Sequence, residues 1–393
     1  MGTILCPMKI AYVTTYDARI LDGNTWRSGY YIAKALKKHG ALIEYICPLK
    51  ERYSFIFRAK SYLYRRILNK RYLRDRQPFI IKDYAHQVSR RLVHSEADIV
   101  LSPGIIPIAY LECAQPIVFW TDATFAGMVD FFPEFGNLCR ETLRDGHLVE
   151  QAALDRCMLA IFSSDWAAQT AVNNYMVDHS KVKVVSFGAN IEGDRTYDDI
   201  KSMVNSRPSC PCKLLFVGVD WYRKGGDIAV KIAEELNASG LETELIVIGC
   251  QPLMERSLPD FVHSIGYIDT STTKGLNEMG ALFAQSHFLI LPTRADCAPN
   301  VLREANSFGV PALSTRIAGI LMTIKDGING KTFSRDADIT EYCDYIANLM
   351  SDYVEYEKLA LSSFNEYQLH LNWSVSVQEV KKMLMNIVSK HKR

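Results

Sequence analysis

Apolar residues fall along the chain in short blocks separated by amphipathic stretches. Residues 9–15 (KIAYVTT) form a β-rich apolar run, and a polar loop over 17–23 follows. Residues 26–39 show helical spacing and stop at Gly40, which suits the left-handed cap of a helix end. Further apolar runs lie at 41–49, 98–102, 117–121, 159–163 and 182–187, mostly with helical stretches between them. Strands that alternate with helices predict βαβ units and a mostly parallel sheet.

The alternation lapses over 190–212, which is polar and carries Gly193, Pro208 and Pro211. This reads as a linker. The pattern then restarts, with strands predicted at 213–219, 244–249, 262–268, 288–292 and 310–314. Helices are predicted at 226–238, 274–285 and 300–308. Past Asp336 the pattern is helical, ending in an amphipathic helix at 373–389. A chain of 393 residues exceeds the size at which one core usually stops growing, so two domains are expected. The division is 1–195, a linker at 196–212, a second domain at 213–372, and a C-terminal helix at 373–393 that returns to the first domain.

Composition narrows the class. With 48% hydrophobic and 23% charged residues the chain is globular rather than disordered. A net charge of +1 supplies no global field for nucleic acid, and none is expected as a partner. The ten cysteines show no zinc spacing, so a reducing, cytoplasmic setting and no metal are expected. No apolar run approaches the roughly 18 residues of a spanning helix. The first eight residues read as a ragged leader, too short for a signal peptide.

Candidate chemistry concentrates in the second half. In 292–309 (PTRADCAPNVLREANSFG) a buried strand ends, a loop carries Arg294 and Asp296, and Pro299 suits the first position of a helix. Amides at Asn300 and Val301, aided by the helix dipole, can bind phosphate oxygens. Asp296 and Glu304 flank that helix start as acceptors for sugar and ribose hydroxyls. They also fit a loop cap and a solvated helix residue. In 216–227 (FVGVDWYRKGGD) the strand ends at Gly218, and Arg223 and Lys224 precede Gly225-Gly226. A lysine beside glycines at a strand's carboxyl end is placed to meet a diphosphate, or is a surface cation. In 314–333, Asp326-Gly327 and Asn329-Gly330 signal a loop and then a short strand.

Together, in this order and spacing, these elements resemble the GT-B glycosyltransferases of retaining family 4. The resemblance rests on Gly218 with Lys224-Gly225, on Asp296 with Glu304 as an E-x7-E element, and on the turn Asp326-Gly327-Ile328-Asn329-Gly330. The segments 98–104 (DIVLSPG), 119–125 (FWTDATF), 163–166 (SSDW) and 187–190 (FGAN) resemble one subgroup in the first half. The chain departs from the family at Asp296, which replaces Glu, at Ala298-Pro299, which replaces Phe-Gly, and at Val219, which replaces Arg. Arg223 is then the candidate for that missing charge.

The resemblance implies an α/β fold of two Rossmann-like, doubly wound domains facing a cleft. It implies transfer from a nucleoside diphosphate sugar with retention at the anomeric carbon, with that sugar nucleotide as co-substrate and no further cofactor. Asp296, Lys224, Arg223 and Asp122 are the expected catalytic residues. Gly23, Gly218, Asn300, Val301 and Glu304 join them in donor binding. Asp22-Gly23-Asn24 resembles the family's glycine loop, although such turns are common. Asp122 ends a strand where many members place a histidine, and it also fits a cap. The expected acceptor is a glycan or a lipid-linked one. The rival readings are another GT-B enzyme, an epimerase or phosphorylase, and a non-catalytic scaffold. A dehydrogenase is disfavoured because no G-x-G-x-x-G opens the first helix.

Residues 50–76 hold ten Lys/Arg against two acids, with aromatic and aliphatic residues interleaved. The stretch suits peripheral contact with an anionic membrane at its inner face or an anionic acceptor. It also suits a basic partner, or a solvated hairpin with its tyrosines packed inward. Asp336-Ala337-Asp338 resembles a metal motif, but a helix N-terminus is the simpler reading.

Overall fold

The computed structural model describes residues 7–22, 26–191, 193–254 and 257–391, so Gly23 lies outside the described residues. Two compact units result: residues 1–187 with 373–393, and residues 188–372.

The first unit contains β1 (Lys9–Val13), α1 (Arg27–Lys38), β2 (Leu42–Ile46), α2 (Ser54–Ile67), α3 (Pro78–Leu92), β3 (Ile99–Ser102), β4 (Ile117–Thr121), α4 (Phe125–Met128), α5 (Arg140–Arg156), β5 (Leu159–Phe162), α6 (Asp165–Asn174) and β6 (Val182–Val184). Its six parallel strands run in the order β2-β1-β3-β4-β5-β6. Strands β3, β4 and β5 are buried throughout, which is why they read as unbroken apolar runs. One core cluster gathers α3, α5 and α6 residues such as Val88, Val149 and Ala171. The other gathers Ile32 and Leu36 of α1 with Trp373, Val377, Val380 and Leu384 of the C-terminal helix.

The second unit contains α7 (Tyr197–Asn205), β7 (Cys212–Val217), α8 (Gly226–Ala238), β8 (Thr243–Ile248), β9 (Val262–Gly266), α9 (Thr273–Gln285), β10 (Phe288–Leu291), α10 (Asn300–Asn306), β11 (Ala312–Thr315), α11 (Ile320–Thr323), β12 (Gly330–Phe333), α12 (Ile339–Ser351) and α13 (Tyr353–His370). Its parallel sheet runs β12-β11-β10-β7-β8-β9. The final helix α14 (Trp373–His391) belongs to the first unit.

The linker expected at 196–212 is corrected. Thr196 and Asp199 form a reciprocal capping box that starts α7, and Ile200 and Val204, one turn apart, bury against the second core. Arg207 is buried and donates to the carbonyls of Ala284, Phe308 and Gly309 at 3.0, 2.8 and 2.8 Å. The segment is a built part of the second unit, and the division falls after Phe187 rather than at 195.

In each sheet the strand order reverses direction at one place. In the first it lies between β1 and β3; in the second, between β7 and β10. The loops leaving the carboxyl ends of such a strand pair diverge and leave a crevice that suits a ligand.

Candidate functional site

The loops after β7 and β10 carry the charged residues singled out from the sequence, so those residues meet at the second unit's switch point. Gly225 joins the first loop to α8 at φ 81°, and a Cβ there would stand 2.1 Å from the Pro292 carbonyl oxygen. Only glycine lets the two loops approach this closely. The Thr293 hydroxyl and the Arg294 amide both donate to the Arg223 carbonyl, at 3.0 and 2.8 Å, and stitch the loops together.

Three side chains converge here. Lys224 Nζ pairs with the Asp296 carboxylate. Arg223 Nη1 donates to the Ala295 carbonyl at 2.8 Å and lies 3.8 Å from the same carboxylate. All three are largely withdrawn from solvent, with side-chain exposures of 15% for Arg223, 13% for Lys224 and 12% for Asp296. Gly218 lies directly beneath: a Cβ there would come within 2.9 Å of Lys224 Cγ. Asp220 on the same loop also lies 3.6 Å from Arg223 Nε, so Arg223 and Lys224 are held between two carboxylates at the end of β7.

Asn300 and Val301 open α10, with Val301 buried and Glu304 half-buried one turn in. Pro299 sits at the cap, with extended backbone, one position earlier than the sequence suggests, and the helix ends at Asn306. The turn that follows holds α10 in place. Asn329 is fully buried; it donates to Asn306 Oδ1 and the Thr323 carbonyl, each at 2.8 Å. Asn306 donates back to the Asn329 carbonyl at 3.1 Å. Asp326 accepts from the Thr332 amide and hydroxyl at 2.7 and 2.9 Å. The Asp-Gly/Asn-Gly signal therefore marks a buried clamp as well as a turn.

Three features of this site have no clear trace in the sequence. Arg294 forms a two-pronged pair with Asp227, 2.7 Å on each prong, and its guanidinium lies over the Tyr222 ring. Burial works against the Asp227 charge, but Arg294 outweighs it and holds the carboxyl below its ordinary range. Arg303 is fully buried within α10, where its spacing suggests a solvated residue.

In the first unit Asp122 follows β4, half-buried. It borders a cavity of about 400 Å³ at the carboxyl ends of β1, β3 and β4, which includes that sheet's switch point. Asp338 caps α12 in a reciprocal box with Glu341, so Asp336-Ala337-Asp338 is a helix start. Among the described residues no group of His, Cys, Asp or Glu is disposed to hold a metal ion.

The fold is GT-B. The structure of Anabaena HepE in complex with UDP-glucose aligns over 96% of this chain and 100% of its own, with a TM-score of 0.64 and 14% identity. Sucrose-phosphate synthase from Thermosynechococcus elongatus aligns over 98% and 100%, with a TM-score of 0.69 and 13% identity. Residues 211–352, which lie within the second unit, match the family model described as Glycosyl transferases group 1. Among curated proteins, a 41.2 kDa Klebsiella pneumoniae protein from the cps region is 24% identical over 39% of this chain and 42% of its own length. The glycogen synthase of Pseudomonas savastanoi pv. phaseolicola is 24% identical over 43% of this chain and 35% of its own. The alignments thus span less than half of these relatives.

Proposed function

We propose that the protein is a glycosyltransferase that moves a sugar from a nucleoside diphosphate sugar to an acceptor hydroxyl, with retention and without a metal. The setting is glycan, polysaccharide or glycolipid synthesis. The observation that carries this reading is the convergence of Arg223 and Lys224 on Asp296 at the β7/β10 switch point, inside the matched segment. The UDP-glucose complex of HepE supports it. The diphosphate takes over Lys224 and Arg223, which stabilise the charge that grows as the anomeric bond breaks. Such charge stabilisation is usually the largest catalytic contribution. Asp296, released from Lys224, accepts from the sugar hydroxyls. Glu304 accepts from the ribose, and the amides at Asn300 and Val301 face the phosphates. Asp122 orients the acceptor hydroxyl.

The test is a thermal-shift screen of UDP, GDP and ADP and their sugars, followed by product analysis with and without acceptor. A ligand at a hundredfold excess over its Kd stabilises by about 2.7 kcal/mol, enough to move the melting temperature by several degrees. Transfer of the sugar with its anomeric configuration kept, unaffected by a chelator, is expected. An altered sugar nucleotide without acceptor would instead identify an epimerase, and phosphate-dependent cleavage a phosphorylase. No shift with any nucleotide would defeat the reading.

Residues 50–76 support a second part of the proposal, that α2 rests on an anionic membrane surface. The helix is fixed to the first unit by Phe57, by Tyr64 stacked on Tyr72, and by Lys60 paired with Glu141. Its other side presents Phe55, Ile56, Tyr62, Leu63 and Ile67 to solvent, with Phe55 82% exposed. Arg58, Arg65 and Arg66 lie on the same helix, which has no acid. Apolar side chains pointing outward among cations match an acyl–headgroup boundary. No described helix is long and apolar enough to cross a membrane. Sedimentation with phosphatidylglycerol vesicles is expected at low salt and lost at high salt. Replacing Phe55 and Ile67 by Ser should weaken it at least tenfold, since each buried side chain contributes about 1.5–3 kcal/mol. Equal binding to neutral vesicles, or none to anionic ones, would refute it.

A further inference from the structure

The cavity beside Asp122 contains two buried polar side chains that the proposed transfer does not use. Glu150, on α5, is 1% exposed. Its Oε2 accepts from the Phe125 amide at 2.9 Å, while Oε1 is buried with no hydrogen-bond partner among the described residues. Arg76 is 7% exposed, and its Nε is likewise without a partner there. Its guanidinium lies over the Phe125 and Phe135 rings, 5.6 and 5.8 Å from their centroids, and contacts the Asp75 carboxylate at 3.3 Å. Both Glu150 and Arg76 line the cavity.

Local sequence builds this arrangement. Gly146 lies one turn before Glu150 in α5, and a Cβ there would fall 2.3 Å from the Phe125 ring. A glycine inside a helix costs about 1 kcal/mol relative to alanine. Here it admits the Phe125 ring against the helix, and the Phe125 amide then fixes one oxygen of Glu150. A buried carboxylate oxygen and a buried guanidinium Nε left without partners are costly, so they point to a ligand that satisfies both.

We propose that this cavity binds a neutral sugar ring, one hydroxyl donating to Glu150 Oε1 and a ring or hydroxyl oxygen accepting from Arg76. The inference rests on reading the first unit as the acceptor half of a glycosyltransferase. Neutrality follows from the lining: among the described residues, Asp75, Asp122 and Glu150 face one cation, Arg76, which disfavours an anionic ligand. Ser102 and Thr121 add hydroxyls, and Trp26 offers an aromatic wall for an apolar sugar face. A volume of about 400 Å³ lies in the ordinary range for small-molecule sites.

The probes are methyl glycosides of glucose, galactose, mannose and N-acetylglucosamine, observed by saturation-transfer NMR on the full chain. Nucleoside diphosphate binding is followed separately by calorimetry. At least one glycoside is expected to bind. In Glu150→Gln the amide oxygen must stay on the Phe125 N–H, so the NH2 group faces the cavity and an acceptor becomes a donor. Glycoside affinity should fall at least tenfold while nucleotide affinity is unchanged. Arg76→Lys keeps the charge but removes Nε, and should lose several-fold; it remains informative if the glutamine variant folds poorly. Unchanged glycoside affinity in both variants overturns the proposal. So does displacement of the glycosides by inorganic phosphate, or the absence of any glycoside signal from a wild type that binds nucleotide. A wild type that binds no nucleotide fails the proposed function instead.

Discussion

Asp296→Asn is expected to abolish sugar transfer, by two to three orders of magnitude, while binding the bare nucleoside diphosphate at least as well as the wild type. The argument turns on the ion pair. Asp296 holds Lys224, so a diphosphate must compete with that carboxylate for the ammonium group. Neutralising Asp296 removes the competitor and leaves the cation in place. What disappears is the charged acceptor proposed for the sugar hydroxyls, an interaction between a buried ion and a polar group worth about 1.5–3 kcal/mol. Misplacement of the reacting carbon adds further loss. Lys224→Ala has the opposite signature: nucleotide affinity falls about 10–100-fold, the same energy expressed in binding. Calorimetry with the matched nucleotide and a transfer assay separate the two variants. Unchanged nucleotide affinity in Lys224→Ala would end the diphosphate assignment, and full activity in Asp296→Asn would end the sugar-holding one. Both variants leave a charge poorly compensated, so their melting temperatures need to be recorded alongside.

Much of the architecture is legible in sequence because parallel strands buried on both faces read as apolar blocks. The segments around β3, β4, β5 and β10 show this directly. The site loops are legible too, since Gly218, Lys224-Gly225 and Asp296 carry their chemistry at fixed spacing. The meeting of Lys224 with Asp296 is another matter. Seventy-two residues separate them, and only the order of β7 and β10 in the sheet brings their loops together. The same holds for Arg76 and Glu150, which come from distant segments around one cavity. Two local signals are readable once their physics is known. Thr196 with Asp199 marks a helix start inside an apparently featureless linker. Gly146 inside an otherwise good helix marks a close contact, which proves to be the Phe125 ring. Arg303 offers no such signal: an arginine in the middle of a short helix reads as solvated, and its burial follows from how α10 docks.

Glu150 should make stability depend on pH in a way that a single substitution removes. Burial pushes its carboxyl up from 4.5 to about 7, against the opposing pull of the Phe125 amide and the Arg76 charge. The neighbouring Tyr175 hydroxyl is itself raised, chiefly by burial, and stays neutral throughout this range. Because the folded value lies above the unfolded one, the stabilising contribution is complete below pH 4.5 and is lost as the pH rises through about 7. The interval between those values corresponds to about 3 kcal/mol at its limit. Glu150→Gln carries no ionisable group there, so the difference between the two proteins isolates this one site from every other titration. Near pH 5 the two should unfold at similar temperatures. By pH 8.5 the glutamine variant should be the more stable, by about 1–3 kcal/mol. Parallel profiles across that range would show that the carboxylate is already satisfied and would remove the reason for a ligand at Oε1. A sugar hydroxyl donating to Oε1 favours the ionised form, with Arg76 helping and Asp75 and Asp122 across the cavity opposing. Saturation with a bound glycoside should therefore move the wild-type inflection to lower pH and leave the variant's profile where it was.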